Sequence, residues 1–124
     1  MKWLTKEMVE AFHQESLARF GGAEGVRDVR LLESALARPE NIHAYEPEAD
    51  IFRLATRYCA GIVKNHPFVD GNKRTGMLSA AVFLQLNDVA VEFSEASIVA
   101  MVLGLAAGEI GEDEFAQWLR EAAR

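Results

Sequence analysis

HPFVDGNKRTG, the segment from His66 to Gly76, separates two helical patterns and decides how the rest of the chain is interpreted. Pro67 ends the helical pattern before it, and Asp70-Gly71 is a turn signal. Asn72 is a candidate N-cap for the helix that follows. A turn rich in Gly and Asn that leads into a helix presents free backbone N–H groups at the positive end of the helix dipole. The segment therefore predicts a phosphate site at the start of a helix.

Hydrophobic residues recur at helical spacing on both sides of this segment. Three helices are predicted before it: one capped by Thr5 and ended by Gly21-Gly22, one from Asp28 to a stop at Pro39, and one from about Glu48 to Asn65. Between the second and third, the polar segment Asn41 to Pro47 is predicted as a loop, and two roles stay open for it: a cover over the nucleotide or the protein target, or a plain connection.

Three more helices are predicted after the segment: one from Asn72 to about Leu86, a mostly buried one from Ser94 to near Gly108, and one that opens at Glu112. The alternation of Val89, Val91 and Phe93 is typical of one extended strand, which cannot make a sheet alone. The predicted fold class is therefore all-α. We expect a single compact bundle of about six helices, in which the helix after the active-site loop is central and buried.

Length and composition limit the class of protein. A chain of 124 residues predicts one domain over 1–124, and the 50% of apolar residues suffices for a core. The longest apolar run, Ile98 to Ala107, is ten residues, whereas a membrane span needs about twenty. Lys6, Glu7 and Glu10 interrupt the region where a secretory signal would be apolar. These features predict a cytoplasmic protein with no membrane partner.

The charge distribution favours a site for a compact anion. The net charge is −6, which argues against direct binding of nucleic acid. Between Arg53 and Arg74, however, the only acidic residue is Asp70, and the basic residues are Arg53, Arg57, Lys64, Lys73 and Arg74. Arg53 and Arg57 lie one turn apart on the third helix, where they either add to the positive pocket or only aid solubility.

The residue types within the segment suit phosphate chemistry. The imidazole of His66 can take a proton from an attacking hydroxyl near neutral pH. Asp70 supplies a hard oxygen ligand for Mg²⁺, the usual companion of nucleotide phosphates, and Lys73 and Arg74 add positive charge. Each residue alone is more often part of an ordinary turn, but their joint occurrence in a basic stretch favours a site. Neither a P-loop nor an HExxH motif is present.

Two further residues are predicted to have no catalytic role. Cys59 is the only cysteine and lies within a helical pattern, so a small buried thiol is the expected reading. His13 falls at a half-exposed position of the first helix, and we predict no function for it.

The segment resembles the signature of the Fic/Doc superfamily, HxFx(D/E)GNxR, which it matches at His66, Phe68, Asp70, Gly71, Asn72 and Arg74. The stretch from Gly21 to Glu40 also resembles the Doc branch, the death-on-curing toxins of type II toxin–antitoxin systems. The similarity covers about the first two thirds of the chain.

Two departures from the superfamily pattern bear on the reaction. Fic proteins that transfer AMP usually have glycine at the position of Lys73 and a second arginine at the position of Met77. Doc toxins share the NKR version and are known as protein kinases that move the γ-phosphate of ATP to a threonine of elongation factor Tu. The resemblance therefore implies a kinase that uses ATP and Mg²⁺ and arrests translation and growth.

The resemblance also assigns roles to individual residues. His66 would be the catalytic general base and Asp70 the Mg²⁺ ligand, while Asn72, Lys73 and Arg74 would hold the phosphates and Gly71 would leave backbone room. The self-inhibitory motif (S/T)xxxE(G/N) of many Fic proteins is absent. The expected inhibitor is a separate antitoxin whose disordered tail folds into a groove. Two alternatives stay open: a Fic-type AMP transferase, and a non-catalytic module that binds a nucleotide or a partner.

Overall fold

The computed structural model describes all 124 residues, and its regular structure is entirely α-helical. The helices are α1 (Lys6–Phe20), α2 (Val29–Tyr45), α3 (Ile51–Asn65), α4 (Asn72–Leu86), α5 (Glu95–Ala107) and α6 (Glu112–Ala122). Pairing between extended residues is limited to two isolated bridges, Val26 with Phe68 and Val91 with Ala123. The predicted all-α bundle of six helices is confirmed, and the candidate strand at Val89 to Phe93 is wrong beyond its one bridge.

Three of the predicted N-caps are present, because each satisfies backbone N–H groups that the first turn leaves free. The side chain of Thr5 accepts from Met8 N–H, that of Asp28 from two N–H groups of α2, and that of Ser94 from Ser97 N–H. These caps are local in sequence. They explain why the starts of α1, α2 and α5 are predictable from short patterns.

Helices α3 and α4 form the centre of the bundle. Nine of the 15 residues of α3 are buried, and so are eight of the 15 residues of α4. At Gly76 the two helices approach so closely that a Cβ would lie 3.1 Å from the carbonyl oxygen of Cys59. The predicted central helix is therefore confirmed, with α3 as an equally buried partner. The thiol of Cys59 is buried as expected, and burial raises its pKa to about 12.

One hydrophobic core of 21 buried residues draws on all six helices. A single core shared by all helices is expected of one domain over residues 1–124. The domain assignment itself stays a prediction. No helix of the structure combines the length and the apolar character that crossing a membrane requires.

Helix α2 corrects two predictions, because Pro39 lies within it and does not end it. Proline removes one backbone hydrogen bond, but its ring is buried on the same face as Leu32 and Leu36, and this packing offsets the loss. The helix continues to Tyr45, so most of the predicted loop from Asn41 to Pro47 is helical.

Three smaller corrections concern helix starts and burial. Helix α3 begins at Ile51 with Asp50 as its N-cap, later than the predicted Glu48. The N-cap of α4 is Gly71, and Asn72 is the first helical residue. Helix α5 is less buried than predicted, because only three of its residues are buried while Val99 and Leu103 are exposed.

Candidate active site

The loop between α3 and α4 begins at His66, which presents its side chain to solvent. His66 adopts the left-handed conformation (φ 54°, ψ 53°) that often ends a helix, and its N–H donates to the carbonyl oxygen of Ile62. The guanidinium of Arg27 donates to the carbonyl oxygens of His66 (2.8 Å) and Asn65 (3.0 Å). The carbonyls of Asn65 and His66 at the end of α3 are thereby satisfied, and the exposed imidazole stands on a restrained backbone.

The side chain of Asn72 closes the loop on itself. Its Oδ1 accepts from the N–H of Phe68, and its Nδ2 donates to the carbonyl oxygen of Phe68, both at 3.0 Å. Phe68 is fully buried and anchors the loop in the core. Because the buried amide of Asn72 uses both of its ends within the loop, its backbone N–H is the group that remains for an anion.

The start of α4 leaves backbone donors free. The first backbone hydrogen bond there joins Thr75 N–H to the carbonyl oxygen of Gly71, so the N–H groups of Asn72, Lys73 and Arg74 have no backbone acceptor. Gly71 has φ +79°, which L-residues with a side chain rarely adopt. Free donors at the positive end of a helix are the geometry that an anion site requires, and the predicted site itself stays a prediction.

The carboxylate of Asp70 is held in one orientation by two backbone donors. Gly71 N–H donates to Oδ1 (2.8 Å) and Ala23 N–H donates to Oδ2 (3.2 Å). These two bonds, with that of Gly71 the stronger cause, hold the pKa of Asp70 below its ordinary value. Gly22 makes the second bond possible, because a Cβ there would lie 2.8 Å from Oδ2.

Lys73 and Arg74 supply the positive charge. Lys73 is exposed and belongs to none of the ion pairs. Arg74 donates from Nη2 to the carbonyl oxygen of Gly21 (3.0 Å), and its guanidinium lies over the ring of Phe20. A cavity of about 270 Å³ at this place is lined by His66, Asp70, Gly71, Asn72, Lys73 and Arg74. The structure therefore brings together six of the eight predicted site residues.

The whole loop lies within a match to a known protein family. The model of the Fic/DOC family matches residues 3–84, which include the whole loop. The chain belongs to the Fic/DOC family. It is 33% identical to "Protein kinase doc" of Escherichia phage P1 over 120 residues, which are 97% of this chain and 94% of that protein. It is 38% identical to "Toxin Doc" of Mycolicibacterium smegmatis over 71 residues, which are 56% of this chain and 55% of that protein. The predicted membership in the Doc branch is confirmed.

The donor set of this Fic/DOC loop suits one mode of metal binding. No group of three or more His, Cys, Asp or Glu side chains converges anywhere in the structure. Mg²⁺ bound together with a nucleotide typically takes one or two carboxylates, substrate phosphates and waters. The exposed carboxylate of Asp70, aligned beside the free N–H groups of α4, fits that mode. A nucleotide-borne Mg²⁺ is therefore compatible with the residues present.

Arg53 and Arg57 lie elsewhere. Arg53 pairs with Glu46 (3.0 Å), and Arg57 pairs with Glu112 at the start of α6 (2.7 Å). They line a different hollow of about 600 Å³, whose charged walls include Arg38, Lys64, Asp113 and Glu114. The structure does not bring these two arginines into the cavity of the Fic/DOC loop.

Three residues that hold the loop were missed by sequence reasoning: Gly22, Arg27 and His13. His13 is buried, contrary to its predicted half-exposed position. A signal for this was present, because Val9, His13, Ser16 and Leu17 follow the spacing of one helical face. No pattern in the sequence indicates that Gly22 and Arg27 contact a loop some 40 residues further along the chain.

Proposed function

We propose that this protein is a protein kinase that transfers the γ-phosphate of Mg²⁺-bound ATP to a Ser or Thr hydroxyl. The observation that carries the proposal is the cavity at the start of α4, which has no hydrophobic lining residue and combines a histidine, an ionised carboxylate and two cations. Family membership supports it, as does the name of the phage relative, a protein kinase.

The chain's own groups would bind and orient the phosphates. The free N–H groups of Asn72, Lys73 and Arg74 would donate to a phosphate at the N-terminus of α4, and the side chains of Lys73 and Arg74 would neutralise its charge. Phosphoryl transfer depends mainly on such positioning and charge neutralisation.

His66 would act as the general base. As the hydroxyl oxygen forms its bond to the γ-phosphorus, the bond from that phosphorus to the bridging oxygen breaks, and ADP leaves with the electron pair. The hydroxyl proton passes to the exposed imidazole of His66. Asp70 would hold Mg²⁺, which neutralises charge that develops on the phosphate oxygens.

Two positions favour phosphate transfer over AMP transfer. Lys73 places a long cation where AMP-transferring relatives have a glycine. Met77, where those proteins have a second arginine, is 7% exposed and packs in the core, so no second bidentate clamp is available there.

The kinase reading also implies a toxin with a protein target and an antitoxin. We extend the proposal to translation arrest in the cytoplasm, with elongation factor Tu as the substrate. An apolar cleft of about 210 Å³ opens beside the site between α4 and α5, with Lys73 and Arg74 at its edge. Exposed Val99 and Leu103 contribute to it. Such a cleft suits one apolar face of an antitoxin helix that carries acidic residues toward the two cations.

Radioactive ATP distinguishes the candidate reactions. The protein is incubated with Mg²⁺, purified bacterial elongation factor Tu, and ATP labelled at either the α- or the γ-phosphate. We expect label on the factor from γ-labelled ATP alone. Transfer from α-labelled ATP would show AMP transfer, and transfer from neither, to this factor or to bacterial lysate, would show a binding module.

A pair of histidine variants tests the mechanism. His66→Ala should reduce labelling by about 10²- to 10⁴-fold, the usual contribution of a general base, and should abolish growth arrest. His43→Ala is the matched control, because His43 packs against Trp3 and lines no part of the cavity. Full growth arrest by His66→Ala would refute the assigned role.

A further inference from the structure

His13 of α1 is a buried histidine that takes no part in the reaction described above. Its side chain is 2% exposed, and its ring is stacked on that of Phe68 with centroids 3.9 Å apart and planes 11° apart. Its Nε2 lies 2.8 Å from the carbonyl oxygen of Asp70. Because a carbonyl oxygen only accepts hydrogen bonds, Nε2 carries a proton and donates it.

This bond acts on a peptide group that also orients a carboxylate. The carbonyl oxygen of Asp70 and the N–H of Gly71 belong to one planar trans peptide and point in opposite directions. Holding the oxygen therefore fixes the direction of the N–H. That N–H donates to Oδ1 of Asp70 at 2.8 Å, so His13 is connected to the carboxylate through a single rigid unit.

The stack with Phe68 restrains the ring of His13 itself. The backbone N–H and carbonyl of Phe68 are both hydrogen-bonded to the side chain of Asn72, so the backbone that carries this ring is tied to the start of α4. His13 contacts that ring and the Asp70 carbonyl at once. The substitution His13→Phe would keep the aromatic stack and remove the hydrogen bond, so the two contributions can be measured separately.

We infer that His13 is a positioning residue that sets the carboxylate of Asp70 for the Mg²⁺ that accompanies the nucleotide, acting through the Asp70–Gly71 peptide. The inference rests on the proposed function, which makes Asp70 the metal ligand. Hydrogen-bond partners behind a metal ligand typically change metal affinity by about ten- to a hundredfold when they are removed.

Calorimetric titration with ADP, in Mg²⁺ and again in EDTA, tests the inference. His13→Phe should weaken binding in Mg²⁺ by about tenfold or more and change binding in EDTA by less than about twofold. His13→Gln, whose amide nitrogen lies about as far from the backbone as Nε2, should retain most of the Mg²⁺ effect. His43→Phe makes the same exchange away from the loop and should bind as the wild type does. A general loss of packing would weaken both titrations equally, and that result would overturn the inference.

The amide proton of Gly71 gives a second measurement on the ligand-free protein. Its NMR chemical shift should move upfield in His13→Phe, because the bond to the carboxylate is loosened, and should stay in place in His43→Phe. An unchanged shift in a folded His13→Phe variant would overturn the inference. A wild-type protein that binds ADP equally well with and without Mg²⁺ would instead overturn the proposed metal role of Asp70, and this inference with it.

Discussion

Two regions of this molecule that carry basic side chains look alike in the sequence and differ in the structure. The first is the cavity at the start of α4, where Lys73 has no acidic partner and Arg74 bonds only to a backbone carbonyl. The second is the face of α3, where Arg53 and Arg57 bind Glu46 and Glu112. A phosphate entering the first region meets free donors. In the second it would have to displace carboxylates that already occupy the guanidinium groups.

The difference shows that local excess charge predicts an anion site only when the charges stay unpaired in space. Glu112 lies 55 residues from Arg57 along the chain, so no local window of sequence reveals their pairing. The donors at the start of α4 are instead set by contiguous residues. This difference can be tested by substituting pairs of matched residues. One member of a pair is expected to matter for phosphate transfer or for stability, and the other is its control.

The largest expected effect is on phosphate transfer when a lysine is removed from each region. Lys73→Ala should lower kcat/KM for ATP by about a hundredfold, because a cation that stabilises developing phosphate charge is lost. Lys64→Ala removes the same type of side chain from the hollow that Arg53 and Arg57 line. This variant should keep kcat/KM for ATP within about twofold of the wild type. A steady-state assay with γ-labelled ATP measures both. Equal losses in the two variants would mean that both regions hold the substrate.

The next effect concerns the contact that aligns Asp70. Gly22→Ala should lower the free energy of unfolding by about 2 kcal/mol, because Gly22 has φ +125° and its new Cβ would meet Oδ2 of Asp70. Gly21→Ala has φ +78° but open space around it, so it should retain phosphate transfer. Urea denaturation and the transfer assay compare the two. A Gly22→Ala variant that is as active as Gly21→Ala would show that the alignment of Asp70 is unimportant.

A smaller effect, on stability, is expected when the ion pair between Arg57 and Glu112 is broken. Glu112→Gln should cost about 1–2 kcal/mol of stability, since it leaves a guanidinium that is 16% exposed without its carboxylate. Phosphate transfer should not change. Glu114→Gln is the control, because Glu114 is an exposed acid of the same first turn. If transfer changed as much in Glu112→Gln as in Lys73→Ala, the two regions would not be independent.

The smallest effect is a pH dependence of the surface pair Arg53–Glu46. The hydrogen bond from Arg53 holds the pKa of Glu46 below its ordinary value of 4.5. A lowered folded-state pKa gives stability that is present above pH 4.5 and is lost as the pH falls through the lower value. The Tm difference between wild type and Glu46→Gln should therefore be largest near pH 6 and should vanish in more acidic solution. Glu48→Gln, at an exposed glutamate nearby, should show no such trend.

Local patterns predicted the elements that depend on neighbouring residues. The caps at Thr5, Asp28 and Ser94, and the loop after Pro67, need only groups within a few positions, and the structure has them in place. The stop predicted at Pro39 failed because burial of its ring outweighs one lost hydrogen bond. That burial depends on which helices pack against α2. The helix propensities of neighbouring residues therefore cannot predict it.

The sequence by itself determined the Fic/DOC motif, the all-helical class and the contiguous loop that gathers a histidine, a carboxylate and two cations. These follow from short-range geometry, because eleven adjacent residues, one of them a proline, specify the turn and the helix start. Only the tertiary structure decided which charges stay free and what holds the loop. His13 reaches Asp70 across 57 positions, and Arg27 reaches His66 across 39. Such partners are chosen by how the helices pack, and that packing is a property of the whole core.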